Sequence, residues 1–299
     1  MVTKNFLFLR IALSLFLLAL VGCQTVNHKY AQGKSEPPAK TEPPPRSQAP
    51  PVGVFLGPGA MRAYAHIGVL RVLQRAKVPI VVIGGTEWGS IIGASYSISK
   101  GANGVEWEMM KLKKEQLPSS NLLNNRPEPK DPQELFEFLN ASFGRNDLDS
   151  GSIPFRCPTT DGDQIDLIGR GKAREQLVKC AVLPPLYSFY QRAGKTYVSG
   201  ALSPVDWPGE FRKLGAQYLI YVDVISSGKI ILKESSPELK ALWLAVREIS
   251  KQQHLVANLT IEVPIDMDLT DYDHRREAVA QGEQAATKYL PGLMTALGI

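Results

Sequence analysis

Histidine and cysteine are scarce in this chain, with four and three residues among 299. No Cys-x-x-Cys or His-x-x-x-His spacing occurs, so nothing supports a structural zinc site, and we predict neither a metal nor a cofactor. A Gly-x-Ser-x-Gly motif is also absent, which removes the usual signature of a serine nucleophile at a strand-to-helix turn. The net charge is only +5, and without a basic stripe we expect no nucleic-acid partner.

The N-terminal region has no apolar run long enough for a membrane span. Ile11–Val21 has eleven residues, whereas a span needs about 20, so this run has the size of a signal-peptide core. Leu20-Val21-Gly22-Cys23 closes it and resembles a bacterial lipobox, in which the cysteine is acylated. We predict a signal peptide over residues 1–22 and attachment to a lipid bilayer through Cys23. The alternative is an ordinary signal peptide or a short anchor helix with an incidental cysteine.

The residues that follow the lipobox suggest a location and a tether. Gln24 after the cysteine is, in enteric bacteria, typical of sorting to the outer membrane. We therefore expect a periplasm-facing lipoprotein of the outer membrane. The inner membrane and the cell surface are the alternative locations. Residues 23–51 have almost no apolar side chains and are dense in proline, so we interpret them as an extended tether. A docking site for a proline-binding module is the alternative.

The rest of the chain, residues 52–299, has the pattern of one α/β domain. Continuous apolar runs predict strands at 52–56, 80–83, 153–157, 195–198, 218–224 and 259–263. Helical patterns begin near Met61 and cover 88–100, 104–116, 131–143, 172–181, 205–214, 236–252 and 274–297. Alternation of strands and helices implies a mostly parallel central sheet that helices cover on both faces, in three α/β/α layers. Loops at the carboxyl ends of such strands usually form the functional site.

Two glycine-rich turns follow the first two predicted strands. Gly57-Pro58-Gly59-Ala60-Met61-Arg62 comes after the first strand, and Gly85-Thr86-Glu87-Trp88-Gly89 comes after the second. The second turn has the glycine spacing of a nucleophile elbow, but glutamate stands at its centre.

This order of strand, glycine loop, helix, strand and elbow resembles the patatin-like phospholipase family. The family signature is a Gly-x-Gly-x-x-Arg-Gly loop followed by Gly-x-Ser-x-Gly, and its base is an aspartate in a later Asp-Gly-Gly or Asp-Gly-Ala turn. The resemblance implies a patatin-like fold and spans roughly residues 52–290. It places Gly57, Gly59, Ala60, Met61 and Arg62 in the oxyanion loop, Gly85 and Gly89 in the elbow, Glu87 at the nucleophile, and Ser199 of Ser199-Gly200-Ala201 at the base.

In the mechanism that the resemblance implies, the aspartate deprotonates the serine and the loop amides hold the oxyanion. Glu87, ionised near an ordinary pKa of about 4.3, would attack an ester only to form an anhydride that reverts. Neutral Ser199 cannot act as a base. We therefore expect no competent catalytic residue, and a module that binds a lipid or fatty acid in the old acyl pocket, or another envelope protein. The alternative is residual acyl-ester hydrolysis, with Glu87 as a general base on water.

Three details of the site remain open at this level. Arg62 and Glu87 form an ion pair, the carboxylate occupies the old oxyanion nest, where backbone amides favour anions, or both are true. Pro58 has no N–H, so one donor of the loop is expected to be lost. The family places the elements that carry Cys157 and Cys180 close together; we favour two buried thiols over a disulfide.

Overall fold

The computed structural model describes residues 49–99, 101–118, 129–229 and 236–299, which belong to one compact unit. The predicted signal peptide, Cys23 and the tether up to residue 48 lie outside the described residues. The last residues assigned to the tether pack on the domain: Ala49 lies against the core, and the Pro51 carbonyl accepts the amides of Gln217 and Tyr218 at 2.8 and 3.1 Å. Within the described ranges, every helix is too short or too polar to cross a bilayer.

A central sheet of eight strands runs through the described part of the chain. The strands are β1 Val52–Leu56, β2 Ile80–Gly85, β3 Phe155–Asp161, β4 Gln164–Ile168, β5 Tyr190–Arg192, β6 Lys195–Ser199, β7 Tyr218–Asp223 and β8 Leu259–Glu262. Their order is β5-β6-β3-β2-β1-β7-β8, with β4 paired to β3. The five strands from β3 to β8 in this order are parallel, whereas β4, β5 and β6 add an antiparallel arm.

Eight α-helices of the described ranges connect or cover these strands. They are α1 Ala65–Arg75, α2 Trp88–Ser99, α3 Ala102–Met109, α4 Pro132–Phe143, α5 Ala173–Ala181, α6 Trp207–Lys213, α7 Pro237–Gln253 and α8 Arg275–Leu297. Local sequence starts three of them, since the side chains of Asp131, Asp206 and Ser236 accept a first-turn amide and a proline lies in the first two helical positions. This arrangement satisfies donors that a helix N-terminus leaves free.

Both faces of the sheet are buried, as the alternation along β1 shows. Val52, Val54 and Leu56 belong to the larger core cluster. Phe55 belongs to a smaller one and packs on Trp207 and Phe211 of α6, with ring centroids 5.0 and 6.0 Å apart. Successive strand residues point to opposite faces, so the sheet has a helical layer on each side. The predicted three-layer architecture is confirmed.

Helix α1, which follows the glycine loop, lies in backbone contact with α8. A Cβ atom at Gly68 would lie 2.0 Å from the Val279 carbonyl oxygen, and one at Gly282 would lie 2.0 Å from the Ala65 carbonyl oxygen. Only glycine permits this approach at both positions. The contact fixes the start of α1 and therefore the end of the loop beside the elbow.

The antiparallel arm and one helix differ from the sequence prediction. Strands β4 and β5 were not predicted; most of their residues are exposed or half-buried, so they lack a continuous apolar run. The helix predicted over 104–116 ends at Met109. Lys113 is extended, with φ −101° and ψ 148°, and Leu112 turns into the core with 1% exposure, which breaks the helical path.

Candidate functional site

The elbow joins the carboxyl end of β2 to the start of α2. Its central residue, Glu87, has a left-handed backbone with φ +54° and is fully buried. A Cβ atom at Gly85 would lie 2.5 Å from the Gly89 carbonyl oxygen, and one at Gly89 would lie 2.5 Å from the Leu56 carbonyl oxygen. The two glycines therefore allow a turn this tight against β1, and the strained position between them presents the side chain of residue 87.

The carboxylate of Glu87 lies in the nest formed by the glycine loop. Its Oε2 atom accepts the amides of Gly59 at 3.0 Å and Ala60 at 2.9 Å. Ala60 has φ +44°, and paired amides at such a bend form an anion-binding concavity. Pro58 does not remove either donor, because the two working amides come after it. Of the two interpretations, the occupied nest is the one the structure contains.

Arg62 makes no ion pair with Glu87 within the described ranges. Its Nε and Nη2 atoms donate to the Met267 carbonyl at 2.9 and 2.6 Å, and Nη2 also donates to the Lys229 carbonyl at 2.7 Å. The side chain is fully buried; burial lowers the pKa of Arg62, while Asp268 and Asp266 oppose this effect. The ion-pair interpretation is wrong, and Arg62 fastens the glycine loop to a distant segment.

Glu87 does not keep the ordinary carboxyl pKa that the sequence suggested. Burial raises the pKa of Glu87 to about 7, against the opposing effect of the amides of Trp88, Gly59 and Ala60. Removal from water disfavours the charged form of the carboxyl group more than these three amides stabilise it. Near neutral pH the site therefore holds a mixture of the acid and the carboxylate.

Ser199 stands where the resemblance places the family's base, and its neutral hydroxyl lies beside that of Thr86. Ser199 ends β6 and is buried; its amide donates to the Val182 carbonyl at 2.7 Å, and its Oγ lies 3.3 Å from Oγ1 of Thr86. Neither hydroxyl can abstract a proton from the other at neutral pH. Sequence reasoning missed Thr86, whose only signal was its place beside Glu87.

A disulfide lies directly behind the elbow. Cys157 of β3 is bonded to Cys180 of α5, and both side chains are fully buried. The expectation of two free thiols is therefore wrong. The Cys180 carbonyl accepts the Glu87 amide at 3.2 Å, so the cross-link braces the backbone that carries Glu87.

A second buried carboxylate, missed in the sequence, lies at the end of β7. Asp223 accepts the side chains of Ser250 at 2.9 Å and His254 at 2.7 Å, together with the amides of Ile225 and Ser226, both at 2.8 Å. Burial raises its pKa, but these bonds outweigh burial, and the pKa of Asp223 ends below its ordinary value. Because the hydroxyl of Ser250 donates to Asp223 and not to His254, this cluster lacks the Ser-His contact of a hydrolase triad. It joins β7 to α7.

His66 has a structural role in the glycine loop. Its Nε2 atom lies 2.8 Å from the Gly57 carbonyl oxygen, and burial lowers the pKa of His66 to about 4. A neutral imidazole at this position donates from Nε2 and supports the start of the glycine loop.

Two small cavities flank the elbow, each with about 20 Å³ available to the centre of a water molecule. One lies on the side of Thr86, between Pro58, Gly200 and the rings of Phe55, Trp207 and Tyr221. The other lies on the side of Trp88 and is lined mainly by Ala60, Met61, Leu186, Tyr187 and Leu269. Both walls are predominantly apolar, as the walls of small-molecule sites usually are.

The chain is similar to several known proteins. A family model described as patatin-like phospholipase matches residues 54–206, just over half of the chain. The lysophospholipase NTE1 of Coccidioides immitis is 27% identical over 190 residues, which cover 58% of this chain and 11% of that protein. The neuropathy target esterase sws of Drosophila melanogaster is 26% identical over 217 residues, 66% of this chain and 14% of that protein.

A solved structure shares the fold. The crystal structure of VipD from Legionella pneumophila matches with a TM-score of 0.50 at 10% identity, over 83% of this chain and 67% of that one. At this identity the likeness concerns the fold alone. The chain spans only 11% to 14% of the length of the two relatives named above.

Proposed function

Since the chain belongs to the patatin-like phospholipase family, with glutamate and serine at the positions of its dyad, we propose that it is a non-catalytic member of that family. The proposed activity is binding of a lipid, or of another envelope protein, by a lipoprotein anchored to the membrane through Cys23. The observation that carries this proposal is the pair of hydrogen bonds from Gly59 and Ala60 to Glu87, at 3.0 and 2.9 Å. An ester carbonyl cannot enter a nest that the protein's own carboxyl group fills.

The chemistry of the two positions also argues against turnover. Loss of the nucleophile of a serine hydrolase lowers kcat by about 10⁶-fold in a well-studied case. Here the second position offers only the hydroxyls of Ser199 and Thr86, 3.3 Å apart. Neither a nucleophile with a base nor an open oxyanion hole remains.

The first prediction tests this proposal directly. The chain from Gln24 to Ile299 should give no covalent adduct with a fluorophosphonate and no hydrolysis of short or long acyl esters, because no hydroxyl at the elbow is paired with a base. Intact-mass spectrometry measures the adduct, with an active relative that has an intact Gly-x-Ser-x-Gly elbow as the positive control. Stoichiometric labelling of any serine would refute the proposal.

A second candidate function rests on the pKa of Glu87, raised by burial to about 7. A carboxyl group that titrates near neutral pH suits general-base catalysis on water. Weak hydrolysis of acyl esters by the wild-type chain, lost in the Glu87→Gln variant and without a fluorophosphonate adduct, would favour this alternative.

The proposed anchor leads to a second prediction. Replacement of Cys23 by serine should abolish incorporation of labelled palmitate in growing bacteria, because the thioether-forming atom is gone. Equal label in the wild type and in Cys23→Ser would contradict the lipoprotein assignment. Separation of the inner and outer membranes of the wild-type cells tests the location, since the labelled chain should be found with the outer membrane.

A third prediction concerns repair of the dyad. Glu87→Ser empties the nest with its two amides, and Ser199→Asp restores a carboxylate beside the elbow. The double variant should hydrolyse acyl esters about 10²-fold faster than either single variant, the lower end of what a positioned general base contributes. The singles should stay near background, because the two groups act as a unit. If a correctly folded double variant hydrolyses acyl esters no faster than the single variants, the loss of activity involves more residues than Glu87 and Ser199.

A further inference from the structure

Strand β4 forms a free edge of the sheet. Gln164–Ile168 pairs with β3 and with no other strand of the described ranges. Its first three residues are exposed and its last two are half-buried. An edge strand presents unpaired N–H and C=O groups, which proteins usually protect with proline, lysine or a bulge. Strand β4 contains neither proline nor lysine, and its pairing with β3 is continuous, so this edge is unprotected.

The pairing with β3 shows which backbone groups of β4 are free. In an antiparallel ladder, hydrogen-bonded pairs alternate with non-bonded pairs. Leu167 lies opposite Pro158, which has no N–H, so this pair is a non-bonded one. By the alternation, Ile165 opposite Thr160 is the next non-bonded pair. The N–H and C=O groups of Ile165 and Leu167 therefore point away from β3, toward the free edge.

The side chains of Ile165 and Leu167 lie on the face of the sheet that carries α6. Arg156 of β3 points to this face, since it donates to Glu210 of α6 at 2.9 Å, and alternation along the paired strands puts Ile165 and Leu167 on the same side. Ile165 is 41% exposed. A groove with about 440 Å³ available to the centre of a water molecule is lined by Leu167, Gly169, Arg156 and Glu210, among others. Because Gly169 has no Cβ atom, a partner side chain opposite it can enter this groove.

The charges along the edge select a second copy of this chain as the partner. Asp166 and Arg170 are both exposed, so an antiparallel strand of the same sequence brings its basic end to the acidic end of the first. Pairing centred on Asp166 would place two like charges opposite each other, which is destabilising. Pairing centred on Ile165 would place Asp163 opposite Leu167 on the apolar face. Pairing centred on Leu167 avoids both conflicts.

We propose that two copies of this chain form a two-fold symmetric dimer through β4, with the axis at Leu167. The two Leu167 residues exchange backbone hydrogen bonds, and Ile165 lies opposite Gly169 of the second copy, in the groove. Arg170 reaches Asp166 of the second copy diagonally, and the symmetry repeats each contact. The axis is perpendicular to the sheet, so the apolar faces stay on one side and the two sheets become continuous. This inference goes beyond the proposed function and does not depend on it.

Sedimentation equilibrium of the chain from Gln24 to Ile299, which contains the whole compact unit, measures the association. The wild type should be a dimer that dissociates reversibly on dilution. Ile165→Lys should weaken dimerisation by about 100-fold, because an apolar contact is lost twice in each dimer. Leu244→Lys is the matched control and should leave the association unchanged, since Leu244 of α7 is similarly exposed, at 46%, but lies outside β4.

Reversal of charges tests the register. Asp166→Arg and Arg170→Asp should each weaken the homodimer about tenfold, because each brings like charges together twice. A mixture of the two variants should form a heterodimer as strong as the wild-type dimer, since every diagonal contact then joins an arginine to an aspartate. The chain with both changes should dimerise with itself for the same reason. A merely structural effect of either change would show no such recovery.

A cross-link tests the position of the axis. The chain from Gln24 to Ile299 has only the two cysteines of the disulfide, so Leu167→Cys adds one free thiol. Bonded antiparallel residues have Cα atoms about 5.5 Å apart, which a disulfide can span. Mild oxidation should therefore give a covalent dimer of Leu167→Cys and none of Leu244→Cys.

Three results would each overturn the inference. They are a wild type that stays monomeric at every concentration, a dimer that persists in a folded Ile165→Lys variant, and a mixture of the charge variants that associates no better than either alone. If Ile165→Lys does not fold, the charge variants decide, since both change exposed side chains.

Discussion

The Glu87→Gln variant is expected to gain stability relative to the wild type as the pH rises from 5 to 8. Burial raises the pKa of Glu87 to about 7 from an ordinary 4.5. A carboxyl group whose pKa is higher in the folded state does not lower the free energy of unfolding at a pH below its unfolded-state pKa. As the pH rises from there toward the folded-state pKa, the group destabilises the fold increasingly. Between pH 5 and pH 8 this difference amounts to about 2 to 3 kcal/mol. The neutral amide of glutamine causes no such pH-dependent destabilisation, and its oxygen can still accept hydrogen bonds from the amides of Gly59 and Ala60.

Urea unfolding of both proteins at pH 5, 6, 7 and 8 measures the effect. Other titrating groups, such as His254 with Asp223, are common to the two proteins and cancel in the difference. Glutamine also leaves its Nε2 atom without a partner, which changes the free energy of unfolding by an amount that does not vary with pH. The diagnostic quantity is therefore the slope of the stability difference against pH. Glu137→Gln, which removes an exposed carboxyl group on α4, is the matched control. A flat difference for Glu87→Gln would mean that the carboxylate is ionised at no penalty in its nest.

Loss of the disulfide is expected to be the second large effect. Cys157 and Cys180 are separated by 23 residues, and closure of a loop of this length stabilises a fold by about 3 kcal/mol. The Cys157→Ala/Cys180→Ala variant should unfold at correspondingly lower urea. The elbow should also loosen, because the Cys180 carbonyl holds the Glu87 amide and the nearby Val182 carbonyl holds the Ser199 amide.

Thiol titration of the denatured protein provides the control. The chain from Gln24 to Ile299 contains only these two cysteines and should show no free thiol without reductant. Because both sulfurs are buried, the alanine variants test the loss more directly than reductant added to the folded protein. Hydrogen exchange at the Glu87 amide should rise in the double variant. Two free thiols in the wild type, or unchanged stability without the pair, would contradict the expectation.

Much of the fold followed from local pattern. The parallel strands β1 and β2 are apolar runs that follow Pro51 and Pro79, and β7 is apolar up to Val222. The caps at Asp131 and Ser236 start their helices from sequence-adjacent atoms. Strands β4 and β5 of the antiparallel arm were missed because they bury little apolar surface, so their pairing with β3 and β6 decides their structure. Likewise, the contact of Gly68 with α8 involves residues more than 200 positions apart, which no local window includes.

Sequence alone determined that the turn after β2 carries Glu87 between Gly85 and Gly89 and that the chain has no Gly-x-Ser-x-Gly motif, because these are matters of residue identity and spacing. Only the tertiary structure decided where the carboxylate goes. Its choice of the Gly59 and Ala60 amides over Arg62 depends on backbone direction in a loop 27 residues away and on carbonyls of Met267 and Lys229 that engage the guanidinium first. The raised pKa of Glu87 and the pairing of Cys157 with Cys180 are likewise tertiary, since burial and distance arise only when separate segments pack together.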